Sequence, residues 1–165
     1  MSTSEVCEKI LFSEEQIKNR IIQLGKEISS DYKDKEIVFV SVLNGSFMFT
    51  SDLLKQIEPD NCLDFIQVST YGNSTKSSGD FVLKKDLSLD ISGKNVVVIE
   101  DIIDSGYTIA KLIDYIKEKN PADLKIATLI DKPPRRKVDV NADYVGFILD
   151  SDYFIVGYGL DYAQK

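Results

Sequence analysis

The sequence predicts an α/β protein with a largely parallel central sheet and helices on both faces of that sheet. Two observations carry this prediction. First, Ile37–Leu43 and Val96–Ile99 are apolar runs without polar alternation, which is typical of strands buried on both faces of a parallel sheet. Second, segments with helical apolar spacing separate the apolar runs, and strands that alternate with helices favour parallel crossover units.

The first half of the chain predicts a helix, a strand and a second helix. Ser13 and Gln16 form a weak capping box, and an amphipathic helix of about 16 residues follows Ser13. The strand Ile37–Leu43 comes next. A helix over Phe47–Ile57 then stops before Pro59, because the residue that precedes a proline disfavours helical geometry.

The rest of the chain predicts short strands around one further helix, which opens at Asp104–Thr108. The predicted strands are Leu63–Thr70, Phe81–Lys85, Val96–Ile99, Leu124–Asp131, Tyr144–Leu149 and Phe154–Tyr158. The polar segment Tyr71–Asp80 interrupts this pattern and is either a plain surface loop or a lid; its composition alone favours the plain loop.

Size and composition predict one domain over residues 1–165, located in the cytoplasm. The net charge of −7 disfavours a broad nucleic-acid-binding face. Cys7 and Cys62 are too few for a disulfide framework, and no apolar run approaches the length of a membrane span. The chain has no histidine, which excludes histidine-based catalysis and histidine metal ligands. Carboxylates, lysines and tyrosines remain as acid–base candidates.

The segment Val96–Lys111 contains a buried strand, an acidic strand end, a small-residue turn and the start of a helix. Glu100 and Asp101 end the apolar run, and Asp104-Ser105-Gly106-Tyr107-Thr108 opens the helix. Such a turn directs backbone N–H groups and the positive end of the helix dipole at one point, which suits a phosphate. The alternative is structural: Asp104, Ser105 and Thr108 cap the helix, and the two acids are solvated charges.

The acids favour the phosphate interpretation. Glu100, Asp101 and Asp104 lie within five residues at the carboxyl end of a buried strand, where open α/β sheets bind ligands. Carboxylates repel a phosphate unless a cation or sugar hydroxyl groups lie between them. This arrangement therefore indicates a phosphorylated sugar, bound together with Mg²⁺.

Val96–Thr108 resembles the phosphoribosyl-pyrophosphate-binding motif of the type I phosphoribosyltransferases. The sequence Glu-Asp-Ile-Ile-Asp-Ser-Gly resembles that of the hypoxanthine-guanine branch, and the similarity extends from Val42 to Tyr162. The resemblance implies the type I phosphoribosyltransferase fold, with a small hood built from the N-terminal and C-terminal segments. It also implies that the segment 71–80, introduced by Thr70 and Tyr71, is a mobile lid over the active site.

The resemblance assigns a role to each matched residue. Asp104, Ser105, Gly106, Tyr107 and Thr108 hold the 5-phosphate. Glu100 and Asp101 bind the ribose hydroxyl groups, directly or through Mg²⁺, and Asp161 lies near the metal and the exocyclic group of the base. Asp104 also accepts a proton from the base, Lys132 reaches the six-position oxygen of the purine, and Arg136 holds neighbouring active-site segments together. Phe154 stacks on the ring, and the main chain of Ile155 reads the edge of the base.

One corner of the expected site departs from the family pattern. Asn44 and Gly45 match the pyrophosphate-binding turn, but Asn44 replaces a lysine. The family also places a pyrophosphate-binding arginine six residues after the acid that matches Asp161, which is beyond Lys165. The resemblance implies a cis peptide bond in this turn, and we expect it between Asn44 and Gly45.

Without the resemblance, Lys132 and its neighbours would be an exposed basic turn, and Phe154 a core aromatic residue. With it, the expected function is purine salvage by a glycosyltransferase that converts hypoxanthine or guanine and phosphoribosyl pyrophosphate to IMP or GMP, with neither nucleic acid nor membrane as a partner. A homodimer or homotetramer is expected. The alternatives are a related transferase that prefers xanthine and a regulator that senses phosphoribosyl pyrophosphate.

Overall fold

The computed structural model of the chain describes residues 9–71 and 80–160, with only the backbone described at 70, 71 and 80. The elements, in chain order, are α1 (Glu14–Asp31), β1 (Ile37–Leu43), α2 (Phe47–Leu54), β2 (Asn61–Tyr71), β3 (Asp80–Lys85), β4 (Asn95–Ile103), α3 (Tyr107–Lys117), β5 (Asp123–Asp131) and β6 (Tyr144–Ile148). Within the described residues, no helix is long and apolar enough to cross a membrane.

The central sheet has six strands in the order β3-β2-β1-β4-β5-β6. Every neighbouring pair is parallel except β2 and β3, which are antiparallel. The prediction of a largely parallel sheet is therefore confirmed. The chain places β2 on one side of β1 and β4 on the other, so the strand order reverses between β1 and β4, where such sheets bind ligands.

Apolar side chains bury both faces of the sheet. On one face, Leu24 of α1 and Phe49 of α2 pack with Phe39 of β1. On the other face, Leu112 of α3 packs with Val40 of β1. The side chains of adjacent residues in a strand point to opposite faces of the sheet. Phe39 and Val40 belong to different core clusters, so both faces of the sheet are covered. The predicted placement of helices on both faces is confirmed.

Two predicted element boundaries are wrong by three or four residues. Helix α2 ends at Leu54 rather than Ile57, because Gln56 and Ile57 donate their backbone N–H groups to the carbonyls of Leu53 and Leu54 in tighter i→i+3 turns. Strand β4 extends to Ile103 instead of ending at Ile99, since it stays paired with β5 up to Asp131. The acids are therefore part of the strand.

The predicted strand Phe154–Tyr158 is absent. Gly157, Tyr158 and Gly159 have φ angles of 101°, 49° and 87°, and three successive left-handed residues cannot lie in an extended strand. A single bridge between Gly157 and Leu160 is present instead.

The N-terminal and C-terminal segments pack against the same face of the sheet as α1 and α2. The ring of Phe12 stacks on Phe147 with centroids 4.1 Å apart. Leu11, Ile155 and Leu160 pack against the same core cluster. The hood expected from these two segments remains a prediction.

Candidate active site

Three adjacent strands of the sheet end at the edge where the candidate site lies. β1 runs into Asn44 and Gly45, β4 runs into Asp104, and β5 runs into Lys132. Because the three strands are parallel neighbours, these residues are brought to one edge. The sequence motifs for pyrophosphate, phosphate and base therefore converge in the structure.

The phosphate loop, Asp104–Thr108, leads directly into α3. Its Gly106 is the N-cap residue with φ 86°, and no side-chain hydrogen bond caps the helix there. The alternative in which Asp104 or Ser105 is the N-cap is therefore wrong. A Cβ atom at Gly106 would lie 2.8 Å from Val140 Cγ1 and 3.0 Å from Val138 Cγ2, so only glycine fits without a shift of these neighbours.

The two acids of β4 sit beside the phosphate loop in different environments. Glu100 is 8% exposed, whereas Asp101 is half-buried. Glu100 Oε1 accepts a hydrogen bond of 3.1 Å from the Asp101 amide, and Asp101 Oδ1 accepts one of 2.9 Å from the Ile102 amide. Burial, together with the charge of Asp101, raises the pKa of Glu100 well above its usual value. A cation at this position would favour the ionised form of both groups.

The adjacent carboxylates suit Mg²⁺, which prefers oxygen ligands and is often held by one or two carboxylates plus substrate oxygens. Across residues 9–71 and 80–160, no group of three or more His, Cys, Asp or Glu residues could hold a metal ion. The third predicted ligand, Asp161, lies outside the described residues. The donors present therefore fit a metal ion that substrate oxygens help to bind.

The pyrophosphate turn, Asn44–Gly45, lies directly beside Asp101. A Cβ atom at Gly45 would collide with Asp101 Oδ2. The non-proline cis peptide bond lies at Leu43–Asn44, not between Asn44 and Gly45 as expected. Asn44 Oδ1 accepts a 3.3 Å hydrogen bond from Gln67 Nε2 on β2, so its side chain is directed along the sheet.

A buried hydroxyl cluster that the sequence analysis missed lies at this turn. Ser41 Oγ is 2.8 Å from both Ser46 Oγ and Thr50 Oγ1, and Ser46 Oγ donates to the Val42 carbonyl at 2.6 Å. The signal available in the sequence is Ser41, a polar residue inside the otherwise apolar run Ile37–Leu43.

The side chains predicted to bind the base meet at the end of β5. Lys132 is 5% exposed, and its Nζ donates a 2.8 Å hydrogen bond to the Tyr153 carbonyl. That carbonyl belongs to the base loop, Asp150–Leu160, which also carries Phe154 and Ile155. Phe154 is 73% exposed, so much of its ring is accessible to a flat ligand, while Ile155 packs against the core. Lys132 and Phe154 are thus brought together.

Two arginines after β5 join the phosphate loop to its neighbours. Arg136 pairs with Asp131 and donates a 3.3 Å hydrogen bond to the Asp104 carbonyl. Arg135 Nε lies 2.7 Å from Asp104 Oδ1, and Arg135 Nη1 donates a 2.7 Å hydrogen bond to Asp152 Oδ1. Arg136 matches a family residue with an expected role, but Arg135 and Asp152 were not predicted, because no local pattern pairs residues from three separate segments.

The predicted lid falls mostly outside the described residues. Thr70 and Tyr71 end β2, where they pair with Phe81 and Asp80 of the antiparallel strand β3. Their side chains and residues 72–79 are not described. The lid roles of Thr70 and Tyr71 remain predictions.

Comparison with known proteins agrees with this geometry. The family model of the phosphoribosyl transferase domain, which describes the sequences of that family, matches residues 9–163 of this chain. The hypoxanthine-guanine phosphoribosyltransferase of Bacillus subtilis is 46% identical over 158 residues, which cover 96% of this chain and 87% of that protein. The bifunctional protein TilS/HprT of Listeria monocytogenes is 45% identical over 158 residues, and the chain spans 24% of that relative's length and 96% of its own.

A solved structure shows the same fold. The crystal structure of a hypoxanthine-guanine phosphoribosyltransferase from Bacillus anthracis superposes with a TM-score of 0.88 at 47% identity, covering 96% of this chain and 92% of that chain. The chain therefore belongs to the phosphoribosyl transferase family, as its fold and phosphate loop indicate. Within that family, its similarity is to the hypoxanthine-guanine branch, which confirms the resemblance seen in Val96–Thr108.

Proposed function

We propose that this protein transfers the 5-phosphoribosyl group of phosphoribosyl pyrophosphate to hypoxanthine or guanine, in purine salvage. The products are IMP or GMP and pyrophosphate. The single observation that carries the proposal is the meeting of the phosphate loop, the acids of β4, and Lys132 with Phe154 at one edge of the sheet. This arrangement offers one place for a phosphorylated sugar beside another for a flat, oxygen-bearing base.

The phosphoribosyl half of the site is built on β4 and α3. Backbone N–H groups of Asp104–Thr108 and the positive end of the α3 dipole hold the 5-phosphate, and the Ser105 and Thr108 hydroxyl groups add donors. Glu100 and Asp101 bind the ribose hydroxyl groups, directly or through a metal ion. Asn44 and Gly45 offer the pyrophosphate their backbone N–H groups, as closely spaced turns do for anions.

Glu100, Asp101 and Asp161 are the residues that would hold Mg²⁺. When bound, the ion neutralises charge on the pyrophosphate as it leaves and allows carboxylates and phosphates to share one site. Glu100 is buried and its pKa is raised, so a nearby cation would stabilise its carboxylate. Asp161 is included by family resemblance alone.

The base half is built on β5 and the base loop. Stacking of the base on Phe154 contributes roughly 1–3 kcal/mol. The Lys132 ammonium group faces the six-position oxygen and stabilises electron density that moves onto it. The main chain of Ile155 reads the edge of the ring, and Asp161 lies near the exocyclic group.

In the transfer step, the bond from the base nitrogen to the anomeric carbon forms while the bond from that carbon to the pyrophosphate oxygen breaks. Asp104 accepts the proton from the imidazole ring of the base. The sugar carries positive charge as the bonds exchange, so the segment 71–80 closes as a lid to exclude water. The lid, a hood formed by the two terminal segments, a single domain over 1–165, a homodimer or homotetramer and a cytoplasmic location complete the proposal.

Product identification and stoichiometry test the proposed reaction. The protein is incubated with phosphoribosyl pyrophosphate, Mg²⁺ and hypoxanthine, and the products are separated by ion-exchange chromatography. One pyrophosphate should form for each IMP, and little ribose 5-phosphate should appear. Binding of phosphoribosyl pyrophosphate without turnover would support a sensing regulator instead, and turnover confined to xanthine would support the related transferase.

A further inference from the structure

We propose that Arg135 is a positioning residue for the phosphoribosyl transfer, which fixes the Asp104 carboxylate relative to the base loop through Asp152. This inference rests on the proposed function, because it concerns how the residue that accepts the proton is held. It adds to the site two residues, Arg135 and Asp152, that the family resemblance did not assign.

The guanidinium group of Arg135 joins two segments that are far apart in sequence. Its Nε lies 2.7 Å from Asp104 Oδ1 in the phosphate loop, and its Nη1 donates a 2.7 Å hydrogen bond to Asp152 Oδ1 in the base loop. A guanidinium group is always charged and planar, so one side chain can donate a hydrogen bond to one carboxylate and attract a second one by charge. Arg135 therefore bridges the half of the site for the sugar phosphate and the half for the base.

The backbone that carries Arg135 is itself held in place. Pro133, Pro134 and Arg135 form a single 3-10 turn, in which the Arg135 amide donates to the Lys132 carbonyl at 3.1 Å. The two prolines fix their φ angles, which limits the motion of this turn. On its far side, Arg136 donates to the Asp104 carbonyl. The main chain of Asp104 is thus anchored by Arg136 and its side chain by Arg135.

The exposure of this bridge argues against a role in folding. The side chains of Arg135, Asp104 and Asp152 are 46%, 40% and 67% exposed. Ion pairs between exposed side chains add little to stability, because water screens them and two long side chains lose freedom. Their removal should therefore leave the fold intact while it releases the orientation of Asp104.

A bridge through one carboxylate oxygen has a catalytic consequence. Asp104 Oδ1 is buried and has no hydrogen-bond partner among the described residues, so Arg135 acts on it through its charge, 2.7 Å away, and favours one orientation of the carboxylate that accepts a proton from the base. Small displacements of a reacting group cost large factors in rate, about a hundredfold for a shift near 1 Å. The expected defect is consequently in kcat rather than in the binding of phosphoribosyl pyrophosphate, because backbone N–H groups and hydroxyl groups, not the Asp104 carboxylate, hold its phosphates in the proposed function.

The test is steady-state kinetics on Arg135→Gln, Arg135→Lys, Asp152→Asn and the Arg135→Gln/Asp152→Asn double variant. Arg135→Gln should lower kcat about tenfold, with the KM for phosphoribosyl pyrophosphate within about twofold of wild type. Asp152→Asn should cause at least a similar loss, since Asp152 Oδ1 also lies 3.8 Å from Lys132 Nζ. The double variant should lose no more than the worse single variant, because Arg135 and Asp152 belong to one unit. Arg135→Lys should recover part of the loss, since its ammonium group keeps the charge but not the fork.

Lys94→Gln is the matched control. Lys94 pairs with Glu36 at 3.3 Å, the two side chains are 45% and 49% exposed, and the pair lies next to the start of β4, at the opposite edge of the sheet. Lys94→Gln removes one positive charge, as Arg135→Gln does, from a pair of similar exposure. The kcat of this control variant should therefore match wild type. The melting temperatures of all five variants should stay close to that of wild type.

The inference would be overturned by a kcat for Arg135→Gln within twofold of wild type, by additive losses in the double variant, or by an equal loss in Lys94→Gln. A raised KM with unchanged kcat would do the same, since it would place Arg135 in binding. These results are distinct from failure of the proposed function, in which wild type itself would form no nucleotide from hypoxanthine or guanine.

Discussion

Asp104 is held by residues that follow a different strand. It comes directly after β4, but Arg136 and Arg135, which follow β5, contact its carbonyl and its carboxylate. Lys132, at the end of β5, donates to the base loop that Arg135 reaches through Asp152. The proposed proton acceptor, Asp104, and the proposed base-facing cation, Lys132, are therefore both positioned by the short turn that follows β5.

Replacement of Asp104 with Ala removes the proposed proton acceptor. We expect kcat to fall by roughly 10²–10⁴, the usual contribution of a general base, with a smaller effect on affinity for phosphoribosyl pyrophosphate. Steady-state kinetics with hypoxanthine measures the first quantity, and equilibrium binding of phosphoribosyl pyrophosphate measures the second. A variant with near-wild-type kcat would remove Asp104 from the mechanism.

Lys132 should determine the choice between 6-oxopurines and adenine, because its ammonium group favours an oxygen at the six position. Lys132→Ala should lower kcat/KM for hypoxanthine by about 10–100-fold, the value of a hydrogen bond to a charged group, and change the rate with adenine much less. Lys132 is 5% exposed, so thermal unfolding must first show that the variant folds. Equal losses with both bases would mean that Lys132 does not read the oxygen.

At the scale of elements, the turn after β1 is shaped by what packs around it. The hydroxyl groups of Ser41, Ser46 and Thr50 are buried beneath it, and Gly45 leaves no room for a Cβ atom beside Asp101. The Asn44 side chain is bonded to Gln67 on β2. The turn can therefore offer its backbone to an anion whatever side chain stands at position 44.

This account predicts opposite results at neighbouring positions. Asn44→Lys should change the KM for phosphoribosyl pyrophosphate only modestly, because the backbone donors are unchanged. Gly45→Val should raise that KM severely, since its side chain would collide with Asp101 and obstruct the approach of the anion. Kinetics on both variants measures the contrast. A large gain from Asn44→Lys combined with a tolerated Gly45→Val would contradict a backbone site for pyrophosphate.

The connection between β3 and β4 depends on one buried acid, Asp64. Asp64 of β2 is 5% exposed, and its carboxylate accepts backbone hydrogen bonds from Ser88 and Leu89 at 2.6 Å and 2.8 Å, which hold the connection between β3 and β4. Burial acts to raise the pKa of Asp64, but the amides of Leu89, Phe65 and Ser88 outweigh burial and lower it. Asp64 therefore contributes stability in its ionised form.

Asp64→Asn should lower the free energy of unfolding by about 1–3 kcal/mol near neutral pH, because the backbone amides that donate to the charged carboxylate would then face a neutral side chain. Since the folded-state pKa is lowered, this contribution is complete above the ordinary aspartate pKa and is lost as the pH falls through the lower folded value. The difference between wild type and variant should thus shrink below about pH 4. Denaturant unfolding from about pH 2.5 to about pH 7 measures this difference in the free energy of unfolding. Asp114→Asn, at an exposed position, is the control. A difference that does not change with pH would contradict a stabilising role for the ionised Asp64.

At the scale of the whole molecule, the sheet and the placement of its site were predictable because they depend on local patterns. Unbroken apolar strands such as Ile37–Leu43 require cover on both faces, and acids at the end of such a strand mark the ligand edge. What the sequence could not show depends on contacts between distant segments. The irregular base loop follows from left-handed angles at Gly157–Gly159, and the Arg135 bridge joins three segments that only the fold brings together.

The central claim is that this sheet edge carries out phosphoribosyl transfer to a 6-oxopurine. The most direct measurement is kcat/KM of the wild-type protein with phosphoribosyl pyrophosphate and Mg²⁺, for hypoxanthine, guanine, xanthine, adenine and uracil. We expect hypoxanthine or guanine to have the highest value and to exceed adenine and uracil by roughly 10²-fold or more, because the six-position amino group of adenine cannot accept the hydrogen bond that Lys132 offers to an oxygen there. Equal or faster turnover of adenine or uracil, or no nucleotide from any base, would contradict it.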